Sequence, residues 1–516
     1  ALAPVVRRLA AVPPEEPGAA YGDVPATPIL RWLADRVASP AVVGTFNMSI
    51  VLRVPATLAL EPLTVAVRAV VDRHDALRAR LDTGGSWRLT VPPPGPVDAA
   101  ALVSRVDATG LDEPALTSLV RRHGHAARAR LDPAGGVQLQ LVWFDRGPGT
   151  AGLLLVLVHH IVMDGVSWRV LLPDLMEAYR AAEAGAEPVL QPVGTSLRRW
   201  ARGLHATAAD PLRAGEAGWW QDVLRRGDPP LGPRPVDPAV DTYGTAGALT
   251  RRLSPAVTEA VLTRVPALFH AEINDVLLAA FVLAWTRWRG RAGAGLLLDL
   301  EGHGRAEHLV EGADLTRTIG WFTTVFPVRL DGGAFDVDDA LAGGPAAGVV
   351  LKRVKEQLRA VPDRGLGYGL ARYLDPDTAR GFVGLAAPQV GFNYLGRFAA
   401  PAAGSADWTP VFGLEAVPGE EDGMPLPHAL DLNARTEETP DGPSLTAMWT
   451  WAGALLGDAQ VAELAGLWFR ALEALVAHAD GPDAGGLTPS DVPLAVTQDE
   501  IDAFENEFDA EEEDEL

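Results

Sequence analysis

Cysteine is absent from all 516 residues. That excludes disulfides, thiolate metal sites and a cysteine nucleophile together, and it fits a chain that works in the cytoplasm. Basic residues are scarce: 44 Lys and Arg stand against 67 Asp and Glu, a formal charge of −23. A surface so poor in positive charge does not neutralise a phosphate backbone, which excludes a nucleic-acid partner. Long apolar runs are missing too. No stretch of about 18 uninterrupted apolar residues marks a membrane span, and the opening "ALAPVVRRLAAVPPEEPG" lacks the apolar segment of a secretory leader. Walker, HExxH and GxSxG sequences are absent. So is a GxDSL-like site at which the chain would carry its own phosphopantetheine arm.

What is present is a 48% hydrophobic share, enough for more than one core. Length alone suggests about three domains, and two larger lobes account for it equally well. Pro and Gly clusters punctuate the chain, the richest at residues 227–238, after a Trp-rich helical stretch near Trp219 and Trp220. The division is placed near residue 210: a linker over 1–21, an N-terminal lobe over 22–210, a C-terminal lobe over 211–495 and an acidic tail over 496–516. Each lobe mixes strands with long helices. Residues 153–158 and 296–300 read as strands, and residues 273–288 as a buried helix. The expected class is α/β (α+β), with a pocket between the lobes.

The stretch "LVHHIVMDGVSWRVLL", residues 157–172, concentrates ionisable groups at a strand end. Leu171, Leu172, Leu175, Met176 and Tyr179 predict a following helix, capped by Ser167 or Asp164. Consecutive strand residues point to opposite faces, so His159 and His160 do not share a pocket: one is structural, the other available. The same geometry weighs against a metal held by His159, His160 and Asp164. A core histidine pair satisfied by backbone groups remains the plain alternative. Gly165 allows a sharp bend, and the helix start offers N–H groups to charge developing on a carbonyl oxygen. A neutral imidazole there can take a proton. Asp164 orients the turn or pairs with an arginine the sequence does not identify.

In "DLEGHGRAE", residues 299–307, Gly302 and Gly304 permit close backbone approach and Glu301 leaves the strand at the turn. A surface ion-pair cluster of Glu301, His303 and Arg305 explains the same residues. "RTIGWFTTVFPVRL" reads as core packing around Trp321 and Phe322, leading into a strand. "GLGYG", residues 365–369, lacks the spacing of a dinucleotide fingerprint. "GFNYLG", residues 391–396, is a loop presenting Asn393 and Tyr394 to a pocket, or a plain turn.

Taken in order, "TPILRW", "HHIVMDGVSW", "NDVLLAAF", "EGHGR", "RTIGWFTTVFP", "GLGYG" and "FNYLG" resemble the motifs of the epimerization domain of nonribosomal peptide synthetases, a member of the condensation-domain superfamily. They run along almost the whole chain. "HHxxxDG" is common to the superfamily, whereas "EGHGR" and "FNYLG" look like the epimerization subtype. The resemblance implies two chloramphenicol-acetyltransferase-like lobes forming a V-shaped pseudo-dimer with a central tunnel. It implies inversion at Cα of an aminoacyl or peptidyl thioester held on the phosphopantetheine arm of an upstream peptidyl carrier protein, with no cofactor and no metal bound by the chain itself. Carried over, His160 and Glu301 become the catalytic pair. His159, Asp164, Gly165 and Ser167 support the turn, and Asn393 and Tyr394 line the site near the carbonyl. The first motif departs from the family at Leu33 and Ala34, where aromatics are usual, and Ala306 stands where a further acid is expected, with Glu307 one place later. The rival readings are a peptide-bond-forming condensation domain and a silent carrier-docking module.

The tail, residues 499–516, carries eleven acids and no Lys or Arg. It is a solvated segment, or a docking element for a downstream condensation domain or synthetase subunit, since Ile501, Phe504 and Phe508 recur at helical spacing. Deleting residues 499–516 and measuring transfer to a separate downstream protein decides between them. A solvated tail leaves transfer unchanged; a docking element requires it to fall.

Overall fold

The computed structural model describes residues 15–503 except 17, 38, 96, 291–294, 399–406, 412–413, 415–419, 421, 483, 494–495, 499 and 502. Phe504 and Phe508 of the proposed docking stripe therefore lie outside the described residues, while Ile501 is buried.

Residues 153–158 form part of the strand Gly152–His159, buried along its whole length. Its aliphatic run is unbroken because both faces are covered. Leu154, Val156 and Val158 face the helices Leu60–Arg73 and Trp168–Glu183, which pack on each other. Leu153 and Leu155 face the helix Glu113–Arg128 through Leu116 and Val120. The strand sits centrally in a five-stranded sheet of order Thr409–Pro410, Asn47–Val54, Gly152–His159, Leu139–Asp145, Val103–Asp107. Asn47 is paired with His159, so the next strand over is in register with the histidine end.

The second sheet has six strands in the order Thr324–Leu330, Leu296–Gly302, Val390–Phe398, Leu430–Thr439, Gly442–Ala452, Ala246–Arg252. Leu296–Gly302 runs parallel to Val390–Phe398, which runs parallel to Leu430–Thr439. "GFNYLG" is thus neither loop nor turn but an interior strand. Its two glycines suggested a break; ladder bonds on both sides hold residues 390–392, and the register shift between Tyr394 and Arg397, where Gly396 has φ +87°, does not end the strand. The helices Ile273–Arg289, Pro345–Arg359 and Asp458–His478 pack into one core with this sheet. Ile273–Arg289 is buried from Asp275 to Thr286, and the Trp468 indole N–H donates to the Leu277 carbonyl at 3.0 Å.

Helix Leu197–Ala208 packs into the first core and helix Pro211–Arg225 into the second. A single division near residue 210 nevertheless misses later returns of the chain. Ile319, Trp321, Phe322 and Val325, together with Leu370 and Met424, join the first core, and Thr409–Pro410 adds an edge strand to the first sheet. The described part of the 1–21 linker is also held in place: Glu15 accepts the Ser196 N–H at 2.8 Å, and Arg198 donates to the Ala19 carbonyl at 2.8 Å. No single helix among the described residues is long and apolar enough to cross a membrane.

Trp468 is fully buried and locks two helices. Trp468→Ala is expected to cost about 3–5 kcal/mol, read as a lower urea midpoint. Val383→Ala, at an 82% exposed position, should stay within about 0.5 kcal/mol of the parent.

Candidate active site

The two histidines part as strand geometry requires. His159 is wholly buried; its Nε2 donates to the Val43 carbonyl at 2.7 Å and its Nδ1 accepts the Ile161 N–H at 3.3 Å. Burial pushes its pKa down to about 3, so it stays neutral and structural. With one nitrogen bound to a carbonyl and the other to an N–H, it offers no metal ligand. His160 opens a short 3₁₀ turn and enters a cavity. Its ring stacks on Phe46 with centroids 4.5 Å apart and meets Trp321 at 4.9 Å. Its Nδ1 is buried with no partner, and burial lowers its pKa. Trp321, read from the sequence as core packing, does join the first core and also walls this site.

Asp164 finds its arginine in the second motif. One carboxylate oxygen accepts the Ser167 N–H at 2.8 Å, the Ser167 hydroxyl at 2.7 Å and Arg305 Nη2 at 3.2 Å; the other accepts the Phe322 N–H at 3.2 Å. Arg305 Nη1 donates to the carbonyls of Leu315 and Thr318, each at 2.8 Å. Of the two caps the sequence offered, the Ser167 side chain makes no cap bond and Asp164 serves: it accepts the Ser167 N–H. That N–H is thereby committed, so it does not serve a developing oxyanion. Gly165 adopts no left-handed conformation, and a Cβ there would meet nothing within 4 Å; it lines the cavity as open space rather than forcing a bend.

"EGHGR" is not a surface ion-pair cluster. Glu301 lines the cavity, His303 accepts the Arg305 N–H, and Arg305 reaches across to Asp164. Gly304 has φ +65°, and a Cβ would lie 1.7 Å from the Phe322 carbonyl oxygen, so this close approach admits only glycine. Glu307 accepts the Leu315 N–H at 2.6 Å, a structural bond away from the cavity.

Asn393 Nδ2 donates to Glu301 Oε2 at 2.9 Å. Tyr394 points to the opposite face, as the next residue in a strand must; its hydroxyl meets Thr436 Oγ1 at 2.9 Å. It does not line the cavity, which corrects the expectation. Asp431 and Asn433 from the neighbouring strand line the cavity beside Asn393. The cavity measures about 230 Å³. It receives Phe46, Met48 and His160 from the first sheet region and Glu301, Asn393 and Asp431 from the second.

Beneath it lies a cluster the sequence reading missed. His428 Nδ1 bonds Asp431 Oδ1 at 2.7 Å and its Nε2 bonds Asp299 Oδ2 at 3.0 Å. Although burial opposes its charge, the two carboxylates push its pKa up to about 10. Gly391 makes room: a Cβ there would lie 2.2 Å from Asp431 Oδ1. The available signal was the alternation Asp431, Asn433 within the otherwise buried strand Leu430–Thr439. Glu301 is pushed up to about 7, first by burial and then by the nearby Asp431 carboxylate, against a smaller pull from His428. A carboxyl that holds its proton to near neutrality and an uncharged imidazole thus share one cavity, an arrangement suited to moving a proton to and from a carbon.

The condensation-domain family matches residues 41–492. A linear gramicidin synthase protein of Brevibacillus parabrevis is 33% identical over 483 residues, 93% of this chain, and chondramide synthase of Chondromyces crocatus is 33% identical over 494 residues, 94% of this chain. The chain spans only 6% and 12% of those proteins' lengths. Among solved structures, the epimerization domain from the third module of tyrocidine synthetase B superposes with a TM-score of 0.76 at 25% identity, covering 90% of this chain and 99% of that one. The first condensation domain of the CDA synthetase shares the fold, with a TM-score of 0.59 at 22% identity over 89% of this chain and 97% of that one.

Glu301 binds its proton more tightly in the folded chain than in the unfolded one, where it titrates near 4.5. Folding stability from this residue is therefore present at low pH and is lost as pH rises from about 4.5 through about 7. Glu301→Gln, which is neutral throughout, is expected to raise the melting temperature relative to the parent at pH 8 and to make little difference at pH 4.

Proposed function

The chain belongs to the condensation-domain family, and from that membership we propose that it epimerizes the α-carbon of an aminoacyl or peptidyl thioester held on the phosphopantetheine arm of a peptidyl carrier protein. The single observation that carries this reading is the cavity shared by His160 and Glu301, which come from different sheets.

A thioester acidifies its α-proton only modestly, so removal needs a base in reach, and inversion needs a proton delivered to the other face. Neutral His160 takes the proton from one side, leaving an enolate; protonated Glu301 gives its proton to the same carbon from the other. The site is left with an imidazolium and a carboxylate, and the reverse reaction runs from that state. The Asn393 amide holds the Glu301 carboxyl in position. No resident cofactor is needed, because the arm delivers the substrate.

The alternative is a condensation domain, in which His160 assists attack of an amine on the thioester. That reaction leaves the α-proton in place and gives no role to a carboxyl whose pKa is raised to about 7. A silent docking module would explain neither ionisable group.

The test is to load a carrier protein with a defined L-residue, add the full chain in heavy water, and follow deuterium at Cα together with stereochemistry. Exchange with formation of the D-isomer is expected. Glu301→Gln and His160→Ala should each slow it by about 10²–10⁴-fold. Absence of exchange with the parent chain would overturn the proposal.

A further inference from the structure

A second cavity, of about 310 Å³, shares no lining residue with the one that holds His160 and Glu301. Its volume is at the lower edge of small-molecule sites, roughly 300–1,000 Å³. The guanidiniums of Arg78, Arg80 and Arg130 and the amide of Gln140 line it, with Asp98 as the only carboxylate among the described residues. A chain of formal charge −23 thus has a net positive cavity. Two of these groups are built into the fold. Arg78 closes the turn Asp75–Arg78 and is 1% exposed. Its Nη1 donates to the carbonyls of Val71 at 2.6 Å and Asp72 at 2.9 Å, and its Nε to the Pro92 carbonyl at 3.3 Å. Nη2 has no partner among the described residues. Gln140, on the strand Leu139–Asp145, is 2% exposed; its Oε1 accepts the Arg130 Nε–H at 2.8 Å, which leaves the amide N–H groups without an acceptor. Each side chain is thus anchored by a neutral partner and keeps a donor in reserve where it lines the cavity. Arg130 Nη1 donates to the Ala126 carbonyl at 3.2 Å. Arg80 lies against Gly136, whose φ is +90° and where a Cβ would come within 3.2 Å of Arg80 Cγ.

The acids nearby are committed elsewhere. Asp98 accepts the Ala100 N–H at 3.0 Å and Asp72 the Gly95 N–H at 2.9 Å; Asp75 accepts the N–H groups of Ala76 and Leu197 at 2.9 Å and 3.1 Å. Among the described residues none lies within ion-pair distance of the three guanidiniums. Burial disfavours the charge on Arg78 and on Arg130, so both gain from an anion placed between them. Val97, Leu102 and Val137 complete the lining with apolar surface.

We propose that this cavity is a binding site for a small phosphate monoester with an apolar body, its phosphoryl oxygens held by Arg78, Arg80, Arg130 and Gln140. A guanidinium fork matches phosphoryl oxygens with paired N–H groups, and three forks with an amide suit a dianion better than a single carboxylate. The apolar lining receives the body of the ester. The site stands apart from the His160 cavity and is independent of the reaction performed there.

The test is titration calorimetry on the full chain with phenyl phosphate, inorganic phosphate and benzoate. Phenyl phosphate is expected to bind once per chain and at least about tenfold tighter than benzoate, the worth of a charge-assisted contact. It should also bind tighter than inorganic phosphate, which has no apolar body to bury. In the Arg80→Gln, Arg130→Gln double variant its affinity should fall at least about tenfold, and Lys at both positions should restore part of the loss. Both side chains are exposed, so this variant is expected to melt with the parent. Should it melt early, Arg80→Gln alone gives the same reading with a smaller drop. His160→Ala should leave the affinity unchanged, since His160 lines the other cavity. Absence of saturable binding, an affinity untouched by the Gln substitutions, or a loss of binding in His160→Ala would each overturn the assignment. So would benzoate or inorganic phosphate binding as tightly as phenyl phosphate.

Discussion

A buried ion pair joins the ends of the two strands that lead into the cavity. Asp164 follows the histidine strand and Arg305 follows the glutamate strand; their side chains are only 5% and 9% exposed. Each charge is enclosed by further bonds, Asp164 by two N–H groups and a hydroxyl, Arg305 by two carbonyls. The guanidinium also lies 4.3 Å from the centre of the Phe322 ring. Such a pair adds little net stability over an apolar substitute, but losing one member strands the other. The pair ties the turn after the histidine strand to the turn after the glutamate strand, and His160 and Glu301 line one cavity.

The same closure governs the proton chemistry. Taking water away from both groups disfavours their charged forms, lowering the imidazole and raising the carboxyl. Burial thus favours the neutral form of each group, the protonated carboxyl and the uncharged imidazole. The Asp299, His428 and Asp431 cluster completes the arrangement from below. Two carboxylates around one cation leave a net negative charge beside Glu301, which adds to the effect of burial.

Local sequence carried the strands, the long helices and the separation of His159 from His160, because these depend on period-two and period-three-to-four patterns within short windows. It misjudged "GFNYLG", where a glycine that makes room for neighbouring side chains, Gly391, looks the same in sequence as one that turns the chain. Gly391 clears space for Asp431 and His428. Tyr394 was mistaken for a lining residue on the same account: once the segment is a strand, alternation sends it to the face opposite Asn393. A single boundary near residue 210 could not anticipate a chain that returns to the first core through residues 319–325 and to the first sheet through Thr409–Pro410.

By itself, then, the order of the motifs determined the family, the mixed α/β character and the two ionisable residues worth watching, since these are properties of residue identity and spacing. Only the tertiary structure decided that Asp164 pairs with Arg305 across 141 positions of chain, that Trp321 walls the cavity, and that His428 sits charged beneath Glu301. Those are contacts between residues distant in sequence, and their energies depend on shared burial, which no local pattern records.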